Sequence, residues 1–233
     1  MSNGTATLPE QEIHEEEHPR YEGRRRKEMV MGGTMVSGLL AAAAGILAII
    51  GLAGAYPLLA VGIATIVLGV AFLFEGASMV GRLSGLLDEV TEGRIQMSEF
   101  GAGTTGSTFA GLTGIVLGIL GILNVIPGVV IPWAAIVFGA ALIIGAGIEV
   151  RIQDTLLMWR QEHSIARQIS HQAVLATTGI EILGGLSAIT LAILALAGIA
   201  PPGLSLAAML SVAVVFVLSN AAIVGRMLYT LQR

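Results

Sequence analysis

Three long stretches of this chain carry no charge. No Lys, Arg, Asp or Glu occurs between Thr34 and Phe74, between Gly101 and Ile148, or between Ile182 and Gly225. About 20 apolar residues at 1.5 Å rise cross a hydrocarbon core of about 30 Å. Each block is roughly twice that length, enough for two spans and a tight turn. Only 12% of the 233 residues are charged, about half the share usual in soluble domains. The expected fold class is therefore all-α and integral to a membrane. With no cysteine in the chain, disulfides, thiolate metal sites and a cysteine nucleophile drop out. The first apolar segment follows a polar tail with no small-residue cleavage site, so it reads as a retained span rather than a signal peptide.

Proline and glycine divide the blocks. "GLAGAYP" (51–57), "NVIPGVVIP" (124–132) and "AGIAPPG" (197–203) each mark a turn between two apolar runs. Six transmembrane helices follow, near 32–52, 57–80, 106–125, 131–150, 174–197 and 203–225, arranged as three tandem helical hairpins. Aligning Pro57, Pro127 and Pro201/Pro202 suggests a threefold internal repeat, and each copy ends near an arginine: Arg82, Arg151 and Arg226. The expected organisation is a disordered tail (1–30), hairpins at 31–80, 106–150 and 173–226, linkers at 81–105 and 151–172, and a short C-terminal tail (227–233).

"GLTGIVLGILG" places Gly111, Gly114, Gly118 and Gly121 on one helix face. A glycine costs a water-soluble helix about 1 kcal/mol relative to alanine. In lipid, unpaired backbone groups enforce the helix and small residues let neighbouring backbones approach. The same offsets carry Gly38, Ala41, Gly45 and Ala48 in the first helix, and Thr178, Glu181, Gly185, Ala188, Ala192 and Ala195 in the fifth. Packing inside one subunit is the expected role of this stripe, ahead of a dimer seam.

All twelve Lys and Arg lie in the N-terminal tail, the two linkers or the last eight residues, and the hairpin turns have none. The positive-inside rule then puts both termini and both linkers in the cytoplasm, with the chain in the cell (plasma or inner) membrane. The tail "QEIHEEEHPRYEGRRRK" (11–27) supplies much of the acidic excess, and His14 and His18 among its glutamates read as solvated rather than as a metal site. Arg24, Arg25, Arg26 and Lys27 suit anionic headgroups. "RLSGLLDEVTEGRI" (82–95) puts Leu83, Leu86, Leu87 and Val90 on one face. "RIQDTLLMWRQEHSIARQI" (151–169) does the same with Ile152, Leu156, Trp159 and Ala166. Both read as amphipathic helices at the interface or as extensions of the preceding span.

Three glutamates fall within or beside spans, where an acid is costly and marks a functional candidate. Glu149, two residues from Arg151, reads as interfacial. Glu75, seven residues before Arg82, lies about 10 Å in. Glu181, ten residues past His171, lies on the small-residue face. Its counterparts are Ser37 and Ser107, with Thr34, Thr104 and Thr178 one turn before. Asn220 on the sixth helix is expected to match Glu75 and to lie within reach of Glu181. Glu181 is then either interhelical hydrogen-bond glue or a proton- or cation-binding group. No paired acids, H-E-x-x-H, G-x-S-x-G or P-loop occur, so no catalytic residue, metal site or cofactor is expected.

The segments "GILAIIGLAGAYPLLAVGIATIVLGVAFLFEG" (45–76), "GIVLGILGILNVIPGVVIPWAAIVFGAALIIGAG" (114–147) and "GIEILGGLSAITLAILALAGIAPP" (179–202) together resemble the HdeD-like acid-resistance membrane proteins. The likeness covers most of 34–226. The acidic tail, the long linkers and Val214 and Asn220, where glycines are usual, depart from it. It implies a non-enzymatic, multi-pass membrane protein linked to stress or acid tolerance and transfers no functional residue. A small proton- or cation-linked transporter or channel using Glu181, with Glu75 and Asn220, is the competing expectation, and an accessory subunit of a membrane complex a third. The expected partners are the lipid bilayer and a second copy or another membrane protein, with no nucleic acid.

Overall fold

The computed structural model describes residues 33, 35–89, 97–159 and 164–231, with side chains described within 33–78, 106–147 and 178–221. Among these residues the chain is wholly helical. The helices are α1 (Met35–Leu52), α2 (Pro57–Glu89), α3 (Met97–Ile122), α4 (Pro127–Trp159), α5 (Ser164–Leu196) and α6 (Pro201–Leu231). Five contain a run long and apolar enough to cross a membrane, and Gly106–Ile122 in α3 is a shorter apolar run. The N-terminal tail, with His14 and His18, lies outside the described residues.

Three turns of one form separate the helices within each apolar block. Gly54, Asn124 and Gly198 take positive φ (94°, 60° and 84°). Their N–H groups bond back to the carbonyls of Gly51, Gly121 and Ala195, each at 3.1 Å. The next N–H reaches one residue further, Ala55 to Ile50 O, Val125 to Leu120 O and Ile199 to Leu194 O. This pair of bonds is the Schellman arrangement, which satisfies the last carbonyls of a helix by turning one residue left-handed. Tyr56, Ile126 and Ala200 then turn left-handed again (φ 45°, 46° and 38°), and Pro57, Pro127 and Pro201 open the next helix, where the missing N–H costs nothing.

Gly54 and Gly128 separate conformation from packing, because a Cβ at either meets nothing within 4 Å. Gly54→Ala is expected to cost about 1–2 kcal/mol, the left-handed penalty of an L residue. Gly128→Ala, on ordinary helical backbone, should cost nothing. Thermal unfolding of the two variants checks the contrast.

The second turn is shorter than the prolines suggest. It closes at Ile126, α4 starts at Pro127, and Pro132 lies inside α4. Proline there removes only the bond to the Gly128 carbonyl, within the first two turns of the helix, which is why it is tolerated. Of the two readings of the linkers, the described parts of both fit extension of the preceding span rather than a separate interfacial helix. α2 runs unbroken to Glu89 and α4 to Trp159, and α5 is already helical from Ser164. At 33 residues each, these helices are about 50 Å long against a core of about 30 Å. The apolar spans adjoin the turns, so the excess projects from the opposite, linker end.

Every helix touches its neighbours in sequence, and α2, α4 and α6 also touch one another. Half of each span in α2, α4 and α6 is buried but only a third in α1 and α5. The first three form the inner layer and α1, α3 and α5 lie outside it. α1 closes the ring on α6, with Gly38 beside Asn220 and Gly45 beside Ala213. Where α2, α4 and α6 meet, Phe72 stacks on Phe138 at 5.0 Å and tilts against Phe216 at 4.8 Å. Leu68, Met209 and Val212 are fully buried with them. At this level the axis of the bundle is apolar and packed.

Gly111, Gly114, Gly118 and Gly121 all face other helices of the same chain. A Cβ on Gly111 would stand 2.7 Å from Gly69 O of α2, and one on Gly118 2.6 Å from Ile66 Cγ1. Gly114 and Gly121 abut Phe138 and Ile131 of α4. Gly139 and Gly185 join α4 to α5 in the same way.

Candidate polar site at the linker end of the bundle

Polar side chains gather near the linker end of the spans. Glu181 stands fifteen residues before the end of α5 at Leu196, about 22 Å from the turn side at 1.5 Å per residue. In a core of about 30 Å that is within two helical turns of the linker-side boundary. Glu75 stands eighteen residues after Pro57, about 27 Å along α2, at a comparable level. Neither carboxyl sits at the membrane centre.

Glu181 is half-buried, and its Oε1 accepts the hydroxyl of Ser219 on α6. Asn220, next in sequence and about 100° further round the helix, turns toward α1. Its Oδ1 accepts from Ser37 Oγ at 3.3 Å and its Nδ2 donates to Phe216 O at 2.9 Å. Because α6 opens at Pro201 rather than Pro202, the residue matching Glu75 in position is Ser219, not Asn220. Counted from the opening prolines, α1–α2 and α5–α6 then hold the same two residue types in exchanged places. Ser37 on α1 and Glu75 on α2 correspond to Glu181 on α5 and Ser219 on α6. α3 and α4 have Ser107 and Gly145 there.

A second polar contact lies deeper in the α5–α6 seam. Ser187 and Ser211 are joined hydroxyl to hydroxyl at 2.5 Å, and Gly184 O, 2.9 Å from Ser187 Oγ and 3.3 Å from Ser211 Oγ, accepts from whichever hydroxyl does not donate to the other. Ser187 is nine residues from the end of α5, about 14 Å in and so near mid-membrane. Gly184 lies between the two contacts and packs directly on Val215. Isolated serines in apolar helices read as small packing residues, which hides this pair and Ser219. The available signal is that Ser187 precedes and Ser211 follows the same turn by similar distances.

Thr178 stands one turn before Glu181. It is 6% exposed, and its Oγ1 has no hydrogen-bond partner. Hydroxyls elsewhere in the bundle reach their own helix, as Thr65 does to Val61 O at 2.7 Å and Ser205 to Pro201 O at 2.7 Å. Among the described residues no group of three His, Cys, Asp or Glu is placed to hold a metal ion. Comparison with family models, with curated proteins and with solved structures gave no match. The fold defines an α-helical multi-pass membrane protein.

Proposed function

We propose that this is a non-enzymatic cell-membrane protein of six spans, built as three repeated hairpins, that serves a structural or stress-tolerance role through packing and association. The observation that carries this reading is the apolar cluster of Phe72, Phe138 and Phe216, which fills the space between α2, α4 and α6 at that level, while the buried hydroxyls of Thr65 and Ser205 bond to their own helices. The repeat is supported by the three like turns and by glycine or small-residue contacts of α2 on α3, α4 on α5 and α6 on α1. The clustering of Lys and Arg in tail and linkers supports a cytoplasmic linker end, and the likeness to HdeD-like proteins supports the link to acid or stress tolerance. Association takes place with lipid, a second copy or another membrane protein.

A second reading, a small proton- or cation-linked transporter, is favoured by the Glu181–Ser219 and Ser187–Ser211 contacts along the α5–α6 seam. One experiment separates the two. The purified protein in proteoliposomes is expected to dissipate an imposed pH or Na+ gradient no faster than empty vesicles. Flux above that background, lost in Glu181→Gln, replaces the first reading with the second.

A further inference from the structure

We propose that the corner formed by Thr178, Glu181 and Ser219 binds one monovalent metal cation from the linker side. The inference starts from Thr178. A threonine inside a helix has its own i−4 carbonyl within reach, and Thr65 and Thr190 use theirs. Thr178 does not, though it is buried, and among the described residues its Oγ1 is the buried side-chain polar atom without a hydrogen-bond partner. Leaving a buried hydroxyl unmatched costs about 1–3 kcal/mol, so such a group calls for an ion or a water.

The surroundings decide which. Residues three apart on a helix share a face, with Cβ atoms about 5–6 Å apart, so Thr178 and Glu181 flank one position. Ser219 gives its only proton to Glu181 and keeps lone pairs to offer. The set is a carboxylate and two hydroxyls, all oxygen, with lone pairs in excess of protons and one formal negative charge. Hard oxygen ligands suit alkali and alkaline-earth cations, and a divalent ion generally recruits more carboxylate charge than one glutamate supplies. Deeper along the seam, the Gly184 backbone packed on Val215 closes the corner. The linker-side boundary is within two turns, so an ion enters from that end.

This inference deepens the transport reading but tests binding alone, so its failure and the failure of that reading are told apart. The experiment is carbodiimide modification of the full chain in detergent at fixed pH and ionic strength, with choline replacing Na+, Li+ or K+. Peptide mapping separates Glu181 from Glu75, and Glu181→Gln locates the label. Na+ or Li+ is expected to slow modification of Glu181 about tenfold while leaving that of Glu75 unchanged. Thr178→Val should raise the Na+ concentration needed for protection about tenfold, the usual least effect of disturbing a metal site, with the choline rate unaltered. Thr178→Ser, which keeps the oxygen, should retain protection. Equal rates in all four salts overturn the proposal and leave a bound water or an intrinsic bond as the partner of Thr178. So does Na+ protection that survives Thr178→Val.

Discussion

Gly139→Ala is expected to lower stability by about 2–3 kcal/mol, the upper range for overpacking a tight contact. Its Cβ would stand 2.7 Å from Gly185 O and 2.8 Å from Ile189 Cγ1, and a Cβ on Gly185 would stand 2.6 Å from Gly139 O. The nearest obstacle is backbone on both sides, which cannot rotate away. Relief needs the two helices to separate by several tenths of an ångström along the crossing. That forfeits dispersion over many atom pairs and the close Cα–H···O approach such crossings permit. In lipid no hydrophobic drive replaces those terms. Gly69 and Gly111 make the same reciprocal contact between α2 and α3, each Cβ 2.7 Å from the other's carbonyl. Gly69→Ala should therefore cost as much, and the double variant about the sum, because the interfaces are separate. Gly145→Ala, in the same helix as Gly139 but open to 4 Å, is the control and should be neutral. Unfolding titrations in mixed detergent measure all four, and a neutral Gly139→Ala would contradict the α4–α5 crossing.

The membrane class is legible because it depends on charge, a composition-level property that three charge-free blocks make unambiguous. Five of the helices bear it out as runs long and apolar enough to span. Turn positions are legible because Gly54, Gly198 and the three opening prolines have backbone requirements few other residues meet. The second turn is read too long because Pro132 looks like punctuation, while helix geometry near an N-terminus tolerates it. Helix ends beyond the membrane are not legible at Arg82 or Arg151. Polar residues mark where lipid stops, and nothing in that change stops a helix. The polar contacts depend on register within 100°, so taking Pro202 for Pro201 moves the Glu75 match from Ser219 to Asn220. The spacing of Gly111 and Gly114 marks a close-packed face. It does not say that the first meets α2 and the second α4, since that needs the order of helices round the ring.

Gly114→Ala and Phe138→Leu are each expected to destabilise the protein, and together to cost less than the sum of the two. A Cβ on Gly114 would stand 2.2 Å from Phe138 Cζ and 2.5 Å from Cε1. The ring cannot swing aside, because Phe138 is fully buried and stacked on Phe72, which in turn packs on Phe216. Gly114→Ala should cost about 2–3 kcal/mol by overpacking, and Phe138→Leu somewhat less through the space it leaves; Phe138→Ala should reach about 3–5 kcal/mol. The helix pairs α1–α2 and α5–α6 show how the volumes trade. At the positions matching Gly114 and Phe138, counted from the opening prolines, stand Ala44 with Leu68 and Ala188 with Val212, all buried. The ring goes with a glycine, and the smaller side chains go with alanines at the matching positions. Gly114→Ala with Phe138→Leu copies the residue types of Ala44 and Leu68 into α3 and α4, so the added methyl occupies space the ring vacates. A coupling of more than about 1 kcal/mol in a double-mutant cycle is the expected result for two residues in direct contact. Strict additivity, with Gly114→Ala altering only the oligomeric state in size-exclusion, would place Gly114 on a seam between copies and remove it from beneath Phe138.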